Sequence, residues 1–414
     1  MVNTNKPLST DPYKGVRDFY PEDMAIERYI FDVWSQTAEL FGYERYDASI
    51  LEPSALYRSK SAENEEMVNE QTYTFTDRGE REVTLRPEMT PTVARMIAGR
   101  RRDLHFPVRW YSIPNLFRYE RPQRGRLREH YQLNCDIFGA DHFSADVEII
   151  ALASAMLQNF GAAPKIFEIR INDRAWLNEI FKQENLTEEQ SRAMLTLIDK
   201  KDKIDNFDEE AKKIAGKRFA LPKEIDERSN LAKVINGLRK LGIENVVVSP
   251  STVRGFAYYT GTIFEIFDVS GENNRSMLGG GRYDNLTTLF GGEPIVGIGF
   301  GMGDVTMRDF LETHGLLTSN ITAPSLMILP TDAEFNMEGQ KIAQGFREAG
   351  VSVAVDISTK KVGKKITDAA DAFVTYALVL GPDEVKSKKY SVKNLEEKSE
   401  FSGTLAELIA KITS

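Results

Sequence analysis

The sequence predicts an α+β chain of two domains, and three observations lead to that class. Two strand-like runs, Arg109–Glu120 and His130–Phe138, flank a short arginine-rich connection and read as an antiparallel hairpin. Residues 173–240 are charged, rich in Lys, Glu and Asp, and helical in pattern, so they form a helical insertion. From residue 323 onward strand and helix patterns alternate, which marks a small α/β domain with its own core. A chain of 414 residues also exceeds what one ordinary core holds.

Residues 1–20 read as an extended arm ending in Lys14-Gly15-Val16-Arg17-Asp18. A helix follows over Pro21–Phe41, with Pro21 suited to its first turn and Ile26, Ile30, Phe31, Trp34, Ala38 and Phe41 as its apolar stripe. Gly42 ends it, and Tyr43–Leu56 returns to strand around Pro53. Strands Gln71–Phe75 and Glu82–Leu85 are joined by the turn signal Thr76-Asp77-Arg78-Gly79. Arg86-Pro87-Glu88 opens a helix running to Ile97, and Arg100–His105 is a basic link to the hairpin.

The second hairpin strand alternates cleanly. Tyr131, Leu133, Cys135 and Ile137 fall on one face; His130, Gln132, Asn134 and Asp136 fall on the other. This predicts a half-buried strand whose polar face floors a pocket. The connection carries five arginines, Arg118, Arg121, Arg124, Arg126 and Arg128, with Pro122 and Gly125 to bend it. A guanidinium fork matches phosphate oxygens as a lysine point charge does not, so the hairpin reads as a phosphate clamp over a small polar ligand.

Asp146–Phe160 is a predicted helix and Lys165–Ile171 a strand. After the insertion come strands Val246–Val248 and Phe256–Phe267, a glycine turn into a helix at Leu278–Tyr283, a buried strand Val296–Gly303 and a helix Asp304–Glu312. A boundary falls near Thr318–Ala323. Beyond it are strand Ser325–Leu329, helix Met337–Ala349, strand Val351–Asp356, helix Lys361–Ala370, strand Phe373–Leu380 and a closing helix Thr404–Ile412.

Composition bounds the function. At 41% hydrophobic and 28% charged residues the chain is globular. A net charge of −9 argues against a general nucleic-acid coat protein but leaves room for local basic patches. The single cysteine, Cys135, excludes an internal disulfide framework and a multi-cysteine metal site. Met1–Tyr13 lacks an apolar h-region and no run of about 18 apolar residues occurs, so the expected setting is cytoplasmic, with no membrane. There is no Gly-x-x-x-x-Gly-Lys-Ser/Thr loop, and the glycines from Gly297 to Gly303 lack dinucleotide-loop spacing. His105, His130, His142 and His314 lack metal-ligand spacing, and His130 does not read as a general base.

Phe117-Arg118-Tyr119-Glu120, the arginine-rich loop and the polar-faced strand together resemble motif 2 of the class II aminoacyl-tRNA synthetases, in the version found in histidyl-tRNA synthetases. Arg254-Gly255-Phe256-Ala257-Tyr258-Tyr259 resembles that family's histidine motif, Gly279-Gly280-Gly281-Arg282-Tyr283-Asp284 its glycine motif, and Leu85-Arg86-Pro87-Glu88-Met89-Thr90 its Leu-Arg-Pro-Glu-Gly-Thr segment. The long first helix and following strand resemble motif 1, the family's dimer interface. The resemblance implies an antiparallel catalytic sheet flanked by helices over residues 1–322, containing the insertion at 173–240, and an anticodon-binding domain over 323–414. The lysines Lys360, Lys361, Lys364, Lys365, Lys386, Lys388, Lys389 and Lys393 fall in that last domain, among acids that reduce its net charge.

The resemblance implies a homodimer that ligates L-histidine to tRNA(His) through a histidyl-adenylate, using ATP and Mg2+ whose protein ligands stay unassigned. Arg118 and Arg254 would be the catalytic cations. Glu88, Thr90, Gln132, Asp136, Tyr258, Tyr259 and Tyr283 would bind histidine, with Asp136 where many members have glutamate. Arg118, Glu120, Arg126 and Arg254 would bind ATP, and Gln123 and Arg128 would touch the acceptor stem. Three departures stand out: Ala257 for aspartate, Met89 for glycine, and Thr306 for the motif 3 arginine that engages ATP. They resemble a divergent bacterial and plastid-like branch. Arg308 lies two residues on, about 200° around the helix, so Arg126 is the expected substitute. The alternative is a catalytically silent, histidine-sensing regulatory subunit of ATP phosphoribosyltransferase; retained Arg118 and Arg254 and the C-terminal domain favour the enzyme.

Overall fold

The computed structural model describes residues 7–58, 71–199, 201, 204–221, 225–253, 258–272, 275–317 and 323–413. The chain forms two compact units, one of residues 1–19 and 26–318, the other of residues 20–25 and 319–414.

The strands of the larger unit are β1 (Glu44–Arg45), β2 (Leu51–Pro53), β3 (Tyr73–Thr76), β4 (Glu82–Leu85), β5 (Val108–Ser112), β6 (Asn115–Phe117), β7 (Glu129–Phe138), β8 (Phe167–Asp173), β9 (Val246–Val248), β10 (Thr262–Asp268), β11 (Ser276–Arg282) and β12 (Gly297–Gly303). They build a large sheet in the order β1-β5-β7-β12-β11-β10-β8-β9, with β6 continuing the pairing of β5 along β7. The β1–β5 and β8–β9 pairs are parallel and the six other pairs antiparallel. Strands β2, β4 and β3 make a separate small sheet.

One face of the large sheet packs on the helix Phe143–Asn159, whose residues are mostly buried, as its largely apolar sequence requires. Leu133, Cys135 and Ile137 of β7 join that core, together with Ile30, Trp34 and Ala38 of the helix Pro21–Leu40. The opposite face of β7 is buried as well from Asn134 onward, which corrects the half-buried reading. Phe138 on that face lies in a second apolar cluster with Tyr259, Tyr283 and helix residues Val93, Ala94 and Ile97. The polar floor is therefore roofed by apolar and aromatic groups.

The predicted strand Arg109–Glu120 is broken into β5 and β6 at Ile113-Pro114, because proline brings no N–H to the ladder. The helix after Arg86 starts only at Thr90, with Pro91 in its first turn; Arg86–Met89 is a non-helical approach, its Arg86 N–H donating to Ile50 O at 2.9 Å. Leu278–Tyr283 is not a glycine turn but the end of β11, deep in the sheet. A Cβ on Gly280 would stand 2.0 Å from Gly299 O of the neighbouring strand. The glycines are there for close strand approach, a use that turn rules do not detect.

Helices Arg174–Gln183, Glu188–Asp199 and Phe207–Ala215 form their own cluster around Leu177, Phe181, Met194 and Phe207. Helix Asn230–Lys240 belongs instead to the main core through Leu231, Val234, Ile235 and Leu238.

The smaller unit holds β13 (Leu326–Pro330), β14 (Val353–Val355), β15 (Tyr376–Leu380), β16 (Tyr390–Asn394) and β17 (Ser399–Gly403) in the order β14-β13-β15-β16-β17. The first three are parallel, and β16 and β17 form an antiparallel hairpin that the sequence pattern did not display. Its alternation, Tyr390-Ser-Val-Lys-Asn, buries only Tyr390, Val392 and Asn394. Lys365 is buried and donates to Pro330 O at 3.1 Å and Asp356 O at 3.0 Å, so it is structural. Lys360 and Lys364 both pair with Asp368 at 2.7 Å, which leaves the predicted basic cluster thinner than its lysine count suggests.

Candidate active site

The floor of the site is Asp136 on β7. Its register partner on β12 is Gly299, where a Cβ would stand 2.2 Å from Asp136 Oδ1 and 2.7 Å from the Tyr283 hydroxyl. The Tyr283 hydroxyl donates to Asp136 Oδ1, and Asp136 Oδ2 has no hydrogen-bond partner among the described residues. A buried carboxylate with an uncommitted oxygen is an acceptor waiting for a donor. Burial pushes the Asp136 carboxyl up from 3.8 to about 7, with the Tyr283 hydrogen bond opposing. The Tyr283 phenol is itself raised well above its ordinary value by burial and by the Asp136 charge.

This has a consequence for stability. An acid whose folded pKa is raised binds its proton more tightly in the native than in the unfolded state. Its stabilising contribution is complete below the unfolded value of 3.8 and is lost as pH rises through about 7. Relative to Asp136→Asn, the ligand-free protein should lose stability between those values and hold a constant difference outside them. Denaturant unfolding of both proteins from pH 3.5 to 8, about the span over which linkage acts, measures this; parallel curves contradict it.

Aromatic and acidic side chains stand around the floor. Tyr258 donates from its hydroxyl to Glu88 Oε2 at 3.3 Å and meets the Tyr283 ring edge-on at 6.1 Å. Tyr259 is buried with its ring 4.9 Å from that of Tyr258. Glu88 is buried just before the helix Thr90–Arg100, which Thr90 opens. Gln132 lies against Gly301 of β12. The structure thus brings Glu88, Tyr258, Tyr259, Tyr283 and Asp136 into one cluster of contacts, with Gln132 further along the same face of β7.

The cationic side lies along the hairpin. Arg118 follows β6, and its Nε donates to Pro87 O at 2.8 Å, which sets it beside Glu88. The tip is a tight turn in which Gln123 and Arg126 exchange backbone hydrogen bonds of 3.1 and 2.9 Å. Gln123 is exposed there. Arg126 pairs with Glu120 at 3.3 Å and Arg124 with Asp309 at 2.7 Å. Arg128, expected at the acceptor stem, is buried: it donates to Glu120 O at 3.2 Å, Tyr13 Oη at 3.0 Å and Lys14 O at 3.3 Å, and lies over the Tyr119 ring. It pins the N-terminal arm to the hairpin. Burial, helped by the Arg118 and Arg17 charges, drives His130 down to about 3, so it is neutral at working pH and too weak a base for proton transfer.

Arg254 lies outside the described residues, as do Gly255, Phe256 and Ala257. Thr306 donates within its own turn and to Met277 O, 3.1 Å in each case, and Arg308 pairs with Glu312 at 2.9 Å. Two ion pairs went unnoticed in the sequence. Arg282 of the glycine motif is buried against Asp146 at 2.5 Å and holds the end of β11. Arg17 of the arm pairs with buried Asp304, which also accepts from Tyr131 N–H at 3.0 Å. Both join residues far apart in the chain, which no local pattern reports. Among the described residues no group of three or more His, Cys, Asp or Glu side chains is arranged to hold a metal ion.

The family model described as histidyl-tRNA synthetase matches residues 15–213 and 169–304, and that of an anticodon-binding domain matches residues 325–414. The chain belongs to the histidyl-tRNA synthetase family. It is 40% identical to a histidine–tRNA ligase of Leptospira biflexa, covering 98% of each chain. It is 36% identical to a histidine–tRNA ligase of Thermoplasma volcanium, covering 97% of this chain and 98% of that one. A crystal structure of histidyl-tRNA synthetase from Nostoc shares the fold, with a TM-score of 0.77 at 24% identity over 98% of this chain and 99% of that one.

Proposed function

We propose that the chain is a histidine–tRNA ligase that forms histidyl-adenylate from L-histidine and ATP and passes the histidyl group to tRNA(His). The observation that carries this is the buried Asp136–Tyr283 pair, whose second carboxylate oxygen has no partner among the described residues, close to Glu88 through Tyr258, with Arg118 beside Glu88. Full-length kinship with histidine–tRNA ligases supports it.

Asp136 accepts an imidazole N–H, and Tyr283 fixes the acid's orientation. Glu88 and Thr90 take the α-ammonium, with Tyr258 steadying Glu88. Gln132 serves the carboxylate, and Tyr259 closes the wall. That carboxylate is already ionised near neutral pH, so attack on the α-phosphorus of ATP needs no general base. The chain's task is to bring two anions together in line and to neutralise charge in the transition state. Arg118 and Arg254 supply that field; Glu120 and Arg126 belong to the ATP side. ATP enters as its Mg2+ complex. A carboxylate oxygen bonds to the α-phosphorus as pyrophosphate leaves. A terminal ribose hydroxyl of tRNA then takes the histidyl group and AMP departs. Gln123 at the exposed tip is the acceptor-stem contact.

The small sheet favours a homodimer: Leu51, Pro53, Val83, Leu85 and Phe75 share one face by register, and Leu51, Pro53 and Phe75 are exposed on it. Among the described residues no helix is long and apolar enough to cross a membrane, and a cytoplasmic place of work completes the proposal. The regulatory-subunit reading is not favoured, given the relatives' full-length match and the anticodon-binding model over residues 325–414.

The proposal divides labour between residues 1–322 and 323–414. The smaller unit has its own core, Leu326, Ile328, Phe346, Leu378 and Val392 among it. Truncation after Leu317 should keep histidine-dependent ATP–pyrophosphate exchange within about tenfold while tRNA charging falls on the order of a hundredfold or more. A truncated protein that charges tRNA at full rate contradicts this division.

A further inference from the structure

We propose that Arg17 is a positioning residue for adenylate formation: through it the N-terminal arm holds Gln132 and Arg118 in the reacting geometry. The inference rests on the ligase reading above and names a residue that takes no part in the pocket itself. The arm is tied to the hairpin along the backbone. Gly15 O accepts from Arg128 N–H at 2.7 Å, and Arg128 O accepts from Arg118 N–H at 2.9 Å. The proposed catalytic arginine therefore sits on a ladder whose outer rung is the arm. Gly15 has φ +89°, and a Cβ there would stand 2.7 Å from Pro122 Cγ and 2.9 Å from Arg128 Cγ, so glycine lets the arm lie this close to the loop.

Through its side chain Arg17 closes a ring of contacts. Its guanidinium lies 4.7 Å from the centre of the Phe19 ring, and Phe19 meets the Tyr131 ring edge-on at 6.2 Å. The Tyr131 N–H donates to Asp304 Oδ1 at 3.0 Å, and Asp304 Oδ2 accepts from Arg17. Arg17 also stands 3.6 Å from Glu27, and both acids are fully buried. Withdrawing Arg17 would take from Asp304 the cation that pairs with it, a cost that keeps the arm in place. Asp304 opens the helix Asp304–Thr313, and Gly303 just before it is the register partner of Gln132. Gln132 is thus bracketed: its chain neighbour Tyr131 is held by Asp304, and its partner on β12 adjoins Asp304. The groups the arm steadies are those proposed to meet the histidine carboxylate and the α-phosphoryl group. Asp136, Tyr283 and Glu88, proposed to hold the imidazole and the ammonium, are ordered by one another and by Tyr258. Loss of the arm therefore falls on alignment, where a misplacement of about 1 Å costs on the order of a hundredfold in rate.

The test uses the full-length protein and two readouts: kcat of histidine-dependent ATP–pyrophosphate exchange, and histidine affinity by calorimetry. Arg17→Ala is expected to lower kcat by about tenfold to a hundredfold, while histidine affinity stays within about threefold. Arg17→Lys should regain part of the loss, because an ammonium keeps the charge but not the fork. Arg17→Met combined with Glu27→Gln and Asp304→Asn removes all three charges together, so no buried carboxylate loses its cation, and the amide at position 304 still accepts from Tyr131 N–H. This triple variant should melt near the wild-type temperature and keep the low kcat. A kcat within about twofold of wild type in Arg17→Ala overturns the proposal. The same recovery in the triple variant also overturns it, since Arg17 would then only neutralise two acids. So does a loss of histidine affinity in Arg17→Ala equal to the loss in kcat, which marks a structural role. Wild-type protein that binds histidine but catalyses no exchange overturns the ligase reading itself, and the role of Arg17 with it.

Discussion

Arg118→Ala is expected to slow histidine-dependent ATP–pyrophosphate exchange by about a thousandfold while histidine binding changes little. Its Nε end is fixed on Pro87 O, which places a permanent cation beside Glu88, one of the residues proposed to hold histidine. A carboxylate attacking the α-phosphoryl group of ATP brings negative charge to negative charge, and a pre-positioned guanidinium removes the repulsion without reorganisation cost. In the proposed reading histidine is held by Asp136, Tyr283 and Glu88 rather than by Arg118, so its ground-state affinity should survive. Exchange within tenfold of wild type, a loss of only about 1.4 kcal/mol, would falsify the role. Arg254 would act beside the α-phosphate by family resemblance; Arg118 is the proposed catalytic cation whose placement the structure describes.

The second large effect falls on selectivity. Asp136→Ala should raise KM for histidine by about a hundredfold or more and leave KM for ATP nearly unchanged. The acid is buried, one of its oxygens is held by Tyr283, and the other has no partner among the described residues. A site built around an acceptor rejects amino acids that bring no donor, because the acceptor is then buried unpaired. If both Michaelis constants rose together, Asp136 would be part of the scaffold rather than the reader of the side chain.

The hairpin was legible because its chemistry is local. Alternation over His130–Phe138 assigns each side chain to a face, and the structure keeps that assignment, with Leu133, Cys135 and Ile137 in the helix-packed core and Asp136 on the site face. What failed was burial and the use of glycine. The polar face is covered by Tyr283 and the helix Thr90–Arg100, elements from elsewhere in the chain. The run Gly279-Gly280-Gly281 reads as a turn by local rules, yet it is strand, since neighbouring backbone lies 2.0 Å from a Cβ added at Gly280 and 2.5 Å from one at Gly281. Arg128 looked like its neighbours in the basic loop until the arm was seen folded onto it. The hairpin Tyr390–Asn394 and Ser399–Gly403 escaped notice because few of its residues are apolar.

The most direct measurement is amino-acid-dependent ATP–pyrophosphate exchange by the full-length protein, with each of the common amino acids in turn. The account predicts exchange with L-histidine alone, slowed about a thousandfold by Arg118→Ala and weakened in histidine affinity by Asp136→Ala. No exchange at saturating histidine and ATP, in a protein that still binds histidine, would contradict it.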